Sequence, residues 1–214
     1  MTFEEYLQHL MGELEPGEDP DEEEGWMEPS PRRLLLQWGH DPQQRRVVCG
    51  HFVRLCNEFE QILGGVSERV AERVQRRVLW SPIGILMGWR RFEDQCKRDC
   101  IDAMWKPFAN YYKGHPERAT VDSYMWFDNM ATFTESEWEQ EQLLLTLDRI
   151  LALGDEPCDF SALHGLGHLV EKGGRIAEAA RSRVDAYIAA HKEQIESNPR
   201  VKRWILECRE GTLM

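Results

Sequence analysis

A capping side chain followed at once by proline recurs along this chain, at Ser30-Pro31, Asp41-Pro42, Ser81-Pro82 and Asn198-Pro199. The serine, aspartate or asparagine accepts a hydrogen bond from a free amide of the first helical turn. Proline then fills a position that has no amide to waste and a φ already set for helix. Thr2 with Glu5, and Thr134 with Glu137, have the spacing of a capping box. Pro16-Gly17, Gly64-Gly65, Pro107, Gly154, Gly173-Gly174 and Gly211 close the segments so opened.

Between these marks the apolar residues recur at three and four. Phe3, Tyr6, Leu7, Leu10, Met11 and Leu14 form one stripe, and Val48, Phe52, Leu55, Phe59 and Ile62 form another. Val70, Val74 and Val78 line one side of the next helix, with Arg69, Arg73, Arg76 and Arg77 on a basic face expected to lie in water among salt bridges. Trp138, Leu145 with its leucine neighbours, and Ile150 mark a long helix. Only Y-M-W-F, Tyr124 to Phe127, has the makings of a strand, and helix is favoured there too. The chain is therefore expected to be all-α, a single compact multi-helix domain over residues 1–214.

Nothing in the composition argues otherwise, since eight tryptophans supply large apolar faces for a core. No run approaches the roughly eighteen apolar residues of a membrane span. The first dozen residues are acidic where a secretion signal is basic, so a cytoplasmic protein without membrane contact is expected. Cys49, Cys56, Cys96, Cys100, Cys158 and Cys208 contain no C-x-x-C pair and read as buried thiols of a reducing compartment.

The net charge of −12 is local. Eleven of the 38 acidic residues precede Arg32, and the remaining 27 balance 26 basic ones. The excess centres on G-E-D-P-D-E-E-E-G, within an acidic loop at 16–29 expected to be mobile, because crowded carboxylates must stay hydrated. Such an acidic region repels phosphate, so nucleic acid is disfavoured as a partner.

The stretch S-A-L-H-G-L-G-H-L, from Ser161, sets His164 and His168 one helical turn apart. That is the spacing of zinc helices, but Gly165 occupies the place where the hydrolase motif H-E-x-x-H carries its general base. Cys96 and Cys100 share the spacing and are candidates to complete a Cys₂His₂ site. The alternative is packing. Gly165 and Gly167, at about 1 kcal/mol each against alanine, suit close approach of a neighbouring helix, with the histidines as polar members of the interface. The packing reading is preferred, and it assigns no metal, no cofactor and no catalytic residue.

The segment resembles the second helix of HEAT-like α-solenoid repeats in bacterial helical-repeat proteins, through A-L-H-G-L-G-H and over about residues 142–191. The resemblance implies that Leu143 to Leu153 pairs with Ser161 to Glu171, followed by Arg175 to His191, stacked as solenoid helix pairs. A stack of this kind offers surface rather than chemistry. The expected function is accordingly non-enzymatic protein binding, in its most concrete form an immunity or antitoxin-like inhibitor of a basic toxin. Its contacts would come from Glu18, Asp19, Asp21, Glu22, Glu23, Glu24 and the aromatic anchor Trp26. The alternatives are a metal-dependent enzyme or structural zinc protein using His164 and His168, and a helical adaptor.

Overall fold

A computed structural model describes residues 1–12, 41–80, 89–119 and 121–213. The acidic loop, the Ser30-Pro31 and Ser81-Pro82 starts, and the candidate partner-binding residues Glu18, Asp19, Asp21 to Glu24 and Trp26 lie outside the described residues. Among the described residues every regular element is helical and there is no strand. The fold is all-α. No helix among them is long and apolar enough to cross a membrane.

Helix α1 (Phe3–Met11) starts on the Thr2 capping box, with Thr2 Oγ1 accepting from the Glu5 amide at 3.2 Å and Glu5 Oε2 accepting from the Thr2 amide at 2.7 Å. It buries Phe3, Tyr6 and Leu10. Helix α2 (Pro42–Asn57) starts on Asp41 as the proline device predicts and leads into α3 (Phe59–Leu63). Helix α4 (Glu68–Trp80) packs on α1, and of its expected basic face Arg69 and Arg76 are exposed while Arg73 and Arg77 are not left to water. Arg73 Nη1 donates to Met11 O (2.8 Å) and Gly12 O (2.9 Å), and Arg77 Nη1 to His9 O (2.9 Å) and Gly12 O (3.0 Å). Carbonyls at a helix C-terminus lack amide partners and carry partial negative charge, which two guanidiniums satisfy here.

Helix α5 (Asp94–Ala103) packs on α2 and on the later helix Glu137–Leu151, and Pro107 is followed by a π-helical turn, Phe108–Tyr112. That turn feeds an aromatic cluster: Phe59, Phe108, Trp126 and Phe127 meet at ring distances of 5.6 to 6.0 Å. Y-M-W-F forms no strand: Tyr124 ends the short helix Val121–Tyr124, Met125 is a turn, and Trp126 opens α6 (Trp126–Phe133). Helix α7 (Glu137–Leu151) is capped by Ser136 with Glu139, two residues later than expected. Thr134 is buried at the end of α6 and its hydroxyl donates to Ala131 O, so it is not free to cap.

Helix α8 (Glu156–Glu171) is the axle of the C-terminal part. Eleven of its sixteen residues are buried, too many for a helix with one wet face. It packs against α6, α7, α9 (Gly174–Ala190) and α11 (Pro199–Glu210), which follows the short α10 (Lys192–Ser197). The two glycines are where the neighbours come closest. A Cβ on Gly165 would stand 2.6 Å from Phe127 Cβ, and one on Gly167 would stand 3.0 Å from Cys208 Cα and press on Leu213.

Candidate functional site

One turn of α8 separates His164 from His168, so their rings project from the same side, tilted 4.7 Å apart between centroids. Their Nε2 atoms lie 2.8 Å apart. Helix α6 crosses that side and brings Asp128, whose Oδ1 is 3.2 Å from His168 Nε2. The two imidazole nitrogens and the carboxylate oxygen all lie within 4.8 Å of one another. On its far side His168 Nδ1 faces Glu171 Oε2 at 3.1 Å.

The surroundings fix the rings. His164 is only 5% exposed, and the ring of Tyr124 meets it in a T-shaped contact at 4.1 Å. Trp204 Nε1 in turn donates to the Tyr124 hydroxyl at 2.9 Å, tying this wall to α11. Burial, and then the neighbouring His168, pull the His164 pKa down to about 4. Its imidazole is therefore neutral at physiological pH, and one of its two ring nitrogens carries a lone pair. His164 Nδ1 is buried and has no hydrogen-bond partner. His168 and Asp128 are half-buried and reach the surface.

Two imidazole nitrogens and a carboxylate oxygen could together hold a divalent transition metal. An ion about 2.0 to 2.1 Å from each nitrogen and oxygen holds tetrahedral ligand atoms about 3.3 Å apart; His168 Nε2 lies 2.8 Å from His164 Nε2 and 3.2 Å from Asp128 Oδ1, and all three donors fall within 4.8 Å of one another. Glu171 supplies the carboxylate that orients a metal-bound histidine from its other nitrogen. Three protein donors leave one position for water or another ligand.

Of the residues singled out by sequence, His164 and His168 come together and Cys96 and Cys100 do not join them. Those cysteines sit on α5, which packs against α2. The donor that completes the histidine cluster is Asp128, which sequence reading missed. It lies 36 residues before His164 and has no local signature. Glu171 was legible in principle, since it stands three residues after His168 on the same helical face. No family model matches this chain, and neither a curated protein nor a solved structure matches it.

Proposed function

We propose that this protein binds one divalent transition-metal ion, with zinc as the best fit, through His164 Nε2, His168 Nε2 and Asp128 Oδ1. The convergence of these three donors from two helices carries the reading. It is favoured over interface packing alone because the pair of imidazoles presents nitrogen to nitrogen and the second carboxylate backs His168 from outside. Two nitrogens and one oxygen suit zinc, and also cobalt and nickel, better than a hard calcium or magnesium ion. Bound metal would link α6 to α8, and its remaining position would be open to water or to a carboxylate of a partner. The inhibitor reading of the acidic tract is a separate proposal, supported by sequence alone.

The test is metal analysis and titration calorimetry on the full chain, first stripped with a chelator and then offered zinc. One ion per chain is expected, lost in Asp128→Ala combined with His168→Ala, while Glu171→Gln weakens affinity by about 10- to 100-fold. Cobalt substitution should give a tetrahedral visible spectrum without a thiolate charge-transfer band. Absence of stoichiometric zinc, or zinc that survives the double variant, would overturn the proposal. A thiolate band would move the site to the cysteines.

A further inference from the structure

Helix α11 supplies none of the three donors, yet it meets the part of α8 that carries the histidines at three points. Before His164, Trp204 packs on Phe160 of α8, ring to ring at 5.2 Å, and its Nε1 donates to the Tyr124 hydroxyl at 2.9 Å. The Tyr124 ring in turn stands against His164, 4.1 Å between centroids. Between the histidines the two backbones nearly touch, since a Cβ on Gly167 would stand 3.0 Å from Cys208 Cα. After His168, Gly211 ends α11 at a φ of +66° and lies against the end of α8, where a Cβ added to it would stand 2.9 Å from Glu171 N.

The two histidines are oriented by different means. His168 Nδ1 faces the Glu171 carboxylate at 3.1 Å, the usual device for fixing a ligating imidazole from its second nitrogen. His164 Nδ1 is buried and has no hydrogen-bond partner, so no polar group sets the angle of that ring. Packing must set it, and Tyr124 is the aromatic wall it meets edge to face. Tyr124 is tied by its hydroxyl to Trp204, so the angle of His164 is only as well defined as the seat of α11. We infer, on the reading of this cluster as a zinc site, that Tyr124 and Trp204 are positioning residues for His164, and that zinc affinity and the docking of α11 are coupled through them. The coupling is reciprocal: if docked α11 raises zinc affinity by some factor, bound zinc favours docked α11 by the same factor.

The experiment uses the full chain stripped of metal by a chelator, with zinc as the probe. Saturating zinc should slow amide hydrogen exchange across residues 199–210 by about 10-fold, and should have no such effect in Asp128→Ala combined with His168→Ala. Tyr124→Phe keeps the ring but removes the acceptor for Trp204, and should weaken zinc binding by about 10-fold; Tyr124→Leu removes the wall and should weaken it by about 100-fold. In Tyr124→Leu the visible bands of bound cobalt should also lose intensity, as a poorly held His164 gives way to water. A merely structural Tyr124 would lower the melting temperature of the stripped variants and leave zinc affinity and the cobalt spectrum unchanged, which would overturn the inference. Zinc that binds the natural chain without slowing exchange in α11 would overturn it as well, and that measurement decides even where a variant fails to fold. A natural chain that takes up no zinc would instead overturn the metal-site reading itself, and this inference with it.

Discussion

Among single side chains, two buried carboxylates shift in opposite directions, because hydrogen bonds outweigh burial at one and not at the other. Glu139 is 2% exposed and accepts from Lys97 Nζ (2.8 Å), Trp89 Nε1 (3.1 Å), the Ser136 hydroxyl (2.7 Å) and the amides of Ser136 (2.8 Å) and Glu135 (3.1 Å). Burial pushes its pKa up, but the hydrogen bonds, that from Lys97 first, outweigh burial and bring it from 4.5 to about 2. A depressed carboxylate stabilises the fold fully above its unfolded pKa, and the contribution disappears as pH falls from 4.5 to 2, about 3 kcal/mol in all. Glu139→Gln should therefore lower stability at pH 7 by about 3 kcal/mol and flatten the acid limb of a urea-denaturation series. Asp159 is the reverse case. Burial, only partly opposed by His191 and by the Tyr187 hydroxyl, raises it from 3.8 to about 6, so its favourable contribution is complete below 3.8 and gone above 6. Asp159→Asn mimics the protonated form. It should be more stable than the natural chain at pH 7 by up to about 3 kcal/mol, with the advantage shrinking as pH falls from 6 to 3.8; equal midpoints at pH 7 would show that the ionised carboxylate is not a burden.

The helices carry a second kind of prediction, because glycine means different things on α2 and on α8. A Cβ at Gly165 meets the Phe127 and Leu147 side chains at 2.6 and 2.9 Å, whereas one at Gly50 meets nothing within 4 Å. Gly165→Ala should destabilise by about 1 to 3 kcal/mol, since overpacking exceeds the gain in helix propensity. Gly50→Ala should stabilise by about 0.5 to 1 kcal/mol, and thermal melts of the two variants check both signs. This close-packing role was legible in A-L-H-G-L-G-H because glycine in a helix otherwise costs stability for no return. Helix starts at Thr2, Asp41 and Asn198 and the Gly211 end were legible for the same reason: a cap is a local device, satisfied by amides or carbonyls a few residues away. What sequence could not settle was anything decided by a distant segment. Thr134-x-x-Glu137 and Ser136-x-x-Glu139 are equivalent patterns, and only the turn that buries Thr134 selects between them. Leu145 fits the apolar stripe of α7 yet is 52% exposed. Asp128 joins the histidines only because α6 packs across α8.

At the scale of the whole molecule the charge is divided between a nearly neutral body and an acidic segment before Arg32. Of the α4 arginines, Arg73 and Arg77 hold the C-terminal carbonyls of α1. On the proposed inhibitor reading, the field of these carboxylates acts on encounter with a basic partner more than on residence. Replacing Asp21, Glu22, Glu23 and Glu24 together with serine should leave the melting temperature unchanged within a degree or so, about what surface substitutions below 0.5 kcal/mol produce. The same change should slow association with the partner captured from the native host, measured by surface binding kinetics. The difference should shrink as salt rises, because the field of exposed charges is screened over about 10 Å at 0.1 M. Trp26→Ala should act on dissociation instead, since an aromatic anchor is lost only after docking. A tetra-serine variant that melts well below the natural chain would mean that the tract pairs with basic groups within the fold. Its carboxylates would then be structural, and the proposal that they meet a toxin would fail on stability data alone.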